Sequence, residues 1–184
     1  MKQYHVAILG ATGAVGMQML EVLLEREFPL ASLRLLASQR SAGKKIERNG
    51  YTYVVEEARE SSFVGVDIVL GAADNDVAKK FIPYAVKAGA VVIDNSSAYR
   101  LDPTVPLIIP EVNPQAVREH HGIIANPNCA TIIALVACQP LHAHAKIKRM
   151  IVSTYQAVSG AGVGGICELD KQIDALRNGK NIET

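Results

Sequence analysis

At 184 residues, 49% hydrophobic and 20% charged, the chain has the composition of a soluble globular protein, and it is long enough for one domain, or one domain with part of another. Its formal net charge of +1 comes without a Lys/Arg run or interleaved basic and aromatic residues, which excludes the footprint of a nucleic-acid or membrane-surface binder and leaves small molecules as the expected partners. The three cysteines, Cys129, Cys138 and Cys167, are odd in number and lack CxxC spacing. Neither a disulfide framework nor a metal site is expected, and a reducing cytoplasm is the natural compartment.

The N-terminus enters strand-like residues directly after Lys2, without the pattern of a signal peptide, and no apolar stretch approaches the ~20 residues a membrane helix needs. Residues 6–9, VAIL, read as a strand, 15–26 as an amphipathic helix and 33–37, LRLLA, as a second strand. Asn49-Gly50 predicts the turn of an inserted hairpin. A strand at 66–72, a helix over 76–88 closed by Gly89, and a strand at 90–94 continue the alternation. Asn113-Pro114 predicts a short helix with a cap and a first-position proline, ended by Gly122, before the strand IIAN.

Such alternation with short connections predicts an α/β fold, a Rossmann-like doubly wound and mostly parallel sheet. Beyond the apolar segment 131–137, residues 147–159 read as one long strand that opens a second sheet. VSGAGVGG then reads as a glycine-rich turn and 166–177 as a helix followed by Gly179. The expected domains are 1–130, binding a dinucleotide, and 131–184, the incomplete beginning of an α+β catalytic and dimerisation domain.

Residues 5–16, HVAILGATGAVG, have the strand, glycine turn and helix of a dinucleotide site. Gly10, Gly13 and Gly16 are spaced GxxGxxG, one residue different from the usual fingerprint, and the need is the same: backbone must approach a pyrophosphate at a helix N-terminus. A purely structural tight turn is the alternative. After the second strand, NAD sites usually place an acid for the ribose diol; here Ser38-Gln39-Arg40-Ser41-Ala42-Gly43-Lys44 offers two cations and no acid, which favours the 2'-phosphate of NADP.

The heptapeptide Asn126-Pro127-Asn128-Cys129-Ala130-Thr131-Ile132 places a thiol where a strand gives way to a helix. Unpaired backbone N–H groups and the positive end of the helix dipole favour negative sulfur there, so Cys129 is a candidate nucleophile. A nucleophilic cysteine beside a nicotinamide site suggests an oxidoreductase of aldehydes or acyl phosphates. Cys138 and Cys167 read as small buried hydrophobes.

GATGAVG, SQRSAGK, DNSSAYR (94–100), NPNCAT and STYQAVSGAG (153–162) occur in that order. Together they resemble the N-terminal portion of aspartate-semialdehyde dehydrogenase, a family similar to glyceraldehyde-3-phosphate dehydrogenase in its two-domain plan and covalent chemistry. The resemblance implies NADPH-dependent reduction of aspartyl phosphate to aspartate semialdehyde, with release of inorganic phosphate, on the route to lysine, threonine and methionine.

It further implies that Cys129 attacks the acyl phosphate while Asn128 positions or polarises the reacting carbonyl, that Arg100 binds the phosphate group and that Gln156 holds the substrate. Gly10, Thr12, Gly13, Ala14, Val15, Gly16, Ser38, Arg40 and Ser41 would contact NADP, with Ser159, Gly160, Ala161 and Gly162 on the nicotinamide side. A homodimer or homotetramer is implied for the full-length protein.

Family members also carry a general-base histidine and an arginine for the substrate carboxylate, and neither motif is found in 1–184, so full activity is not expected of this span alone. His120, His121, His142 and His144 read as structural. The role of residues 72–76, AADND, is left open. N-acetyl-glutamyl-phosphate reductase is the nearest enzymatic alternative, but its Gly-Cys-Tyr differs from Asn128-Cys129-Ala130; a non-catalytic NADP-binding module is the other.

Overall fold

The computed structural model describes residues 2–182, in two compact units that divide after Met150. The first unit is built on seven strands: β1 (Tyr4–Leu9), β2 (Leu30–Ala37), β3 (Lys45–Arg48), β4 (Tyr51–Glu57), β5 (Ile68–Gly71), β6 (Val91–Asp94) and β7 (Ile123–Ala125). Its helices are α1 (Ala14–Glu25), α2 (Asn75–Lys87) and α3 (Cys129–Ala145). The strand order is β3-β4-β2-β1-β5-β6-β7, and every pairing is parallel except β3 with β4. That exception is the expected hairpin, where Asn49 and Gly50 both have positive φ, 51° and 79°, as a two-residue turn matched to strand twist requires.

The central strand shows why the sheet is doubly wound. Val6, Ala7, Ile8 and Leu9 are all buried, so over these four residues β1 is covered on both faces. Because successive side chains alternate, Ala7 and Leu9 join a core with Val69, Val92 and the α2 residues Ala78, Phe81, Ile82 and Ala85, whereas Ile8 joins Leu35, Val55 and Leu20 of α1. Full burial of each larger side chain contributes about 1.5–3 kcal/mol, and the two cores fix both helices to the sheet.

Several local expectations are revised. Residues 147–157 form no strand; a strand needs a neighbour for its backbone groups, and none of the described residues supplies one. In the second unit a 3-10 turn, Val158–Ala161, leads into α4 (Gly162–Arg177), which starts inside the segment read as a glycine turn. The segment Pro114–Glu119 is a 3-10 helix, and Asn113 does not cap it. The Asn113 side chain instead accepts from the Ile109 N–H at 2.9 Å and donates to the Leu107 carbonyl at 3.0 Å, bracing the preceding loop. Cys138 is half-buried and Cys167 exposed, so neither is a core residue. Among the described residues no helix is long and apolar enough to cross a membrane.

Candidate functional site

One row of the sheet organises the candidate site. Leu36 pairs with Leu9, Leu9 with Gly71, Gly71 with Asp94 and Asp94 with Ala125. The segments that follow β2, β1, β5, β6 and β7 therefore all emerge along one carboxyl edge, where open α/β sheets bind ligands. Those segments contain Ser38 to Ser41, the glycine turn, AADND, DNSSAYR and NPNC.

The glycine turn is fixed by backbone contacts. The Gly10 and Ala11 N–H groups donate to the Leu36 carbonyl at 2.8 and 3.1 Å, and the Gly13 N–H donates to the Gly10 carbonyl at 3.0 Å. Gly10 has φ +87°, and a Cβ there would lie 2.6 Å from the Ala72 carbonyl oxygen. Gly13 differs: it is the N-cap of α1, brings no side chain to the first-turn N–H groups, and a Cβ on it would meet nothing closer than 3.4 Å. With no acid in that first turn, the N-terminus of α1, from Ala14 through Val15 to Gly16, offers bare N–H groups and a positive dipole end to a pyrophosphate. Thr12 lies half-buried within this turn.

After β2, Ser38 and Arg40 are exposed, whereas Ser41 is buried and its N–H donates to the Ser38 carbonyl at 2.8 Å. The ion pairs found among the described residues involve Arg34, Arg48 and Arg59; Arg40 and Lys44 make none, so their charge is directed to solvent or to a ligand.

At the ends of β6 and β7 the side chains interlock. Asp94, fully buried, accepts from the Ser96 N–H at 3.1 Å and from Ser96 Oγ at 2.6 Å, and Ser96 Oγ accepts from the Ala98 N–H at 3.1 Å. This turn carries Tyr99 and Arg100. Burial, and then the nearby carboxylates of Asp94 and Asp102, hold the Tyr99 hydroxyl above its ordinary pKa, so it stays neutral. Arg100, half-buried, donates from Nε to the Asn126 carbonyl at 2.9 Å and from Nη2 to the Asn95 carbonyl at 2.7 Å. Two of its five N–H donors are thereby engaged, and two on Nη1 and one on Nη2 remain.

Three residues beyond Asn126, Cys129 opens α3 and is exposed. Asn128 is the N-cap, its Oδ1 accepting from the Ala130 N–H at 3.0 Å, so its amide nitrogen is not used in the cap. The helix that Cys129 begins is apolar yet carries no buried residue; Ile133 is 73% and Leu141 62% exposed.

The remaining candidates, Gln156, Ser159, Gly160, Ala161 and Gly162, lie in the second unit and form a local group of their own. A Cβ on Gly160 would lie 2.2 Å from Gln156 Nε2, so the glutamine side chain packs directly over this glycine.

The model of the semialdehyde dehydrogenase NAD-binding domain matches residues 5–120, and that of the semialdehyde dehydrogenase dimerisation domain matches 138–184. The chain belongs to the semialdehyde dehydrogenase family. It is 51% identical over 176 residues to aspartate-semialdehyde dehydrogenase of Synechocystis sp., covering 96% of this chain and 52% of that protein. The crystal structure of aspartate semialdehyde dehydrogenase II of Vibrio cholerae, complexed with ASA, matches with TM-score 0.91 and 50% identity over all of this chain and 55% of that one. That of the Candida albicans enzyme with NADP matches with TM-score 0.65 and 31% identity over 78% of this chain and 48% of that one. The chain spans about half the length of the curated relatives it matches.

In this family member the structure adds residues that sequence reasoning missed. Asp74 caps α2, accepting from the Val77 N–H at 2.9 Å. Asn75 clasps Ser97, accepting from its N–H at 2.9 Å and donating to its Oγ at 2.9 Å; this gives the AADND segment its structural role. Asn95 and Asn126 bond to one another. The available signal was an asparagine directly after each of two apolar strands. His120 closes a turn by accepting from the Gly122 N–H at 3.0 Å, and among the described residues no group of three His, Cys, Asp or Glu side chains is placed to hold a metal ion.

Proposed function

We propose that the full-length protein catalyses the NADPH-dependent reductive dephosphorylation of aspartyl phosphate to aspartate semialdehyde through a thioester on Cys129. The observation that carries this reading is the shared sheet edge: the helix N-terminus bearing Cys129 follows β7, the Arg100 turn follows β6, and the Arg100 guanidinium bonds the Asn126 carbonyl just ahead of the cysteine. A nucleophile and an anion-binding group are thus held in one frame.

Cys129 Sγ attacks the acyl carbonyl; the C–S bond forms as the C–O bond to phosphate breaks, and inorganic phosphate leaves toward Arg100. The Asn128 amide nitrogen donates to the developing oxyanion. A reduced nicotinamide, when bound, supplies the hydride that converts the thioester to the aldehyde. Gln156 holds the substrate, and Ser159, Gly160, Ala161 and Gly162 line the nicotinamide side. Ala14, Val15 and Gly16 present backbone N–H groups to the pyrophosphate, while Arg40 with Ser38 and Ser41 takes the 2'-phosphate, the reason for NADP over NAD. The Candida relative, solved with NADP, supports that preference.

We assign cofactor binding to 1–130 and the start of the substrate and dimerisation domain to 131–184, in a cytoplasmic oligomer serving lysine, threonine and methionine synthesis. The test is phosphate-dependent reduction of NADP by the full-length protein with aspartate semialdehyde or with N-acetylglutamate semialdehyde. Turnover with the first alone, lost in Cys129→Ser, is expected. Preference for the second would move the protein to the reductase alternative, and binding of NADP without either turnover would make it a non-catalytic module.

A further inference from the structure

We propose that Asn95 is a positioning residue for Arg100, setting the distance between the two carbonyls that hold the guanidinium; the inference rests on the reading of Arg100 as the phosphate-binding group. Nε and Nη2 lie along one edge of a rigid planar group, so their spacing is fixed and the acceptors must match it. Those acceptors, the carbonyls of Asn126 and Asn95, belong to different strand ends. The Asn126 side-chain amide joins them by donating to Asn95 Oδ1.

Asn95 is itself anchored on its other side. Its N–H and its Nδ2 both donate to the Gly71 carbonyl, at 3.0 and 3.1 Å. A Cβ on Gly71 would lie 2.9 Å from Asp94 Oδ1, which shows how closely β5 and β6 approach at this point. Asn95 therefore spans from β5 to β7, with its own carbonyl facing Arg100. Any residue except proline could keep the backbone bonds at this position; the asparagine amide adds a donor nitrogen on Gly71 and a separate acceptor oxygen for Asn126, held in one plane. Without it the two carbonyls are free to separate, and Arg100 can follow one of them out of line with the thiol three residues past Asn126.

The experiment is a double-mutant cycle on the full-length protein, reading the KM for inorganic phosphate and the KM for NADP in the oxidation of aspartate semialdehyde. Asn95→Ala should raise the phosphate KM roughly 10-fold, the scale of two lost hydrogen bonds, with the NADP KM changed less than about 2-fold. In Asn95→Ala/Arg100→Ala the first substitution should add nothing to the second. Losses that multiply in the double variant, equal effects on both KM values, or no effect of Asn95→Ala would overturn the proposal while leaving the role of Arg100 intact. An unchanged phosphate KM in Arg100→Ala alone would instead remove the reading on which the proposal rests, and the proposal with it. Should Asn95→Ala fail to fold, Asn126→Ala breaks the same side-chain bond from the other end, and the same outcomes decide.

Discussion

The carbonyl oxygen of Gly10 stands 2.3 Å from where a Cβ of Gly16 would be. The first turn of α1 is therefore pressed onto the loop that precedes it, and this contact, more than the turn itself, sets how the helix N-terminus meets the sheet edge. Gly13 lies between the two with room for a methyl, the nearest atom to a Cβ there being the Gly10 carbonyl oxygen at 3.4 Å. Gly16→Ala should destabilise the fold by about 1–3 kcal/mol through overpacking against backbone. Gly13→Ala should leave stability nearly unchanged and weaken cofactor binding, because its methyl enters the space left for a pyrophosphate. Urea unfolding and a cofactor titration on both variants check this, and a large stability loss in Gly13→Ala would refute it.

Arg40 has no carboxylate partner among the described residues and follows β2 where an acid would bind a ribose diol. A charge-assisted hydrogen bond contributes about 1.5–3 kcal/mol, so Arg40→Ala should weaken NADP by roughly 10- to 100-fold and leave NAD unchanged. Equal losses for both cofactors in a binding titration would separate Arg40 from the 2'-phosphate.

Arg34 on β2 and Glu56 on β4 form a bidentate pair, Nε donating to Oε1 at 3.0 Å and Nη2 to Oε2. The hydrogen bonds from Arg34, then opposed by desolvation, hold the Glu56 carboxyl below its ordinary value of 4.5. A lowered folded-state pKa means that the unfolded chain takes up the proton first, so this contribution is complete above pH 4.5 and is lost as pH falls through the folded value. With side chains 31% and 40% exposed, it amounts to no more than about 1 kcal/mol. Glu56→Gln should lower unfolding free energy at pH 7 and make no difference at pH 2; an equal deficit at both would show that packing, not charge, is what the substitution removes.

The strand–helix alternation and the glycine turn were legible because their causes are local: a period of two or 3.6 in apolar residues, and glycine where backbone crowds backbone. Cys129 at the start of α3 was legible for the same reason, as was the Asn49-Gly50 hairpin. The segment 147–159, read as one long strand, misled, since propensity gives a strand no partner. Asn113 looked like a cap but braces a loop through Ile109 and Leu107. The Asn95–Asn126 bond and the Asn75–Ser97 clasp could not be read at all, because each joins residues brought together only by the parallel register of neighbouring strands.

The most direct test of a covalent role for Cys129 is peptide mass mapping of the full-length protein after mixing with aspartate semialdehyde and NADP in the absence of phosphate. With no phosphate to release the acyl group, the account predicts one aspartyl adduct on Cys129 for each NADPH formed in the burst, and neither adduct nor burst in Cys129→Ser. A burst of NADPH with Cys129 unmodified, or an adduct on Cys138 or Cys167, would contradict it.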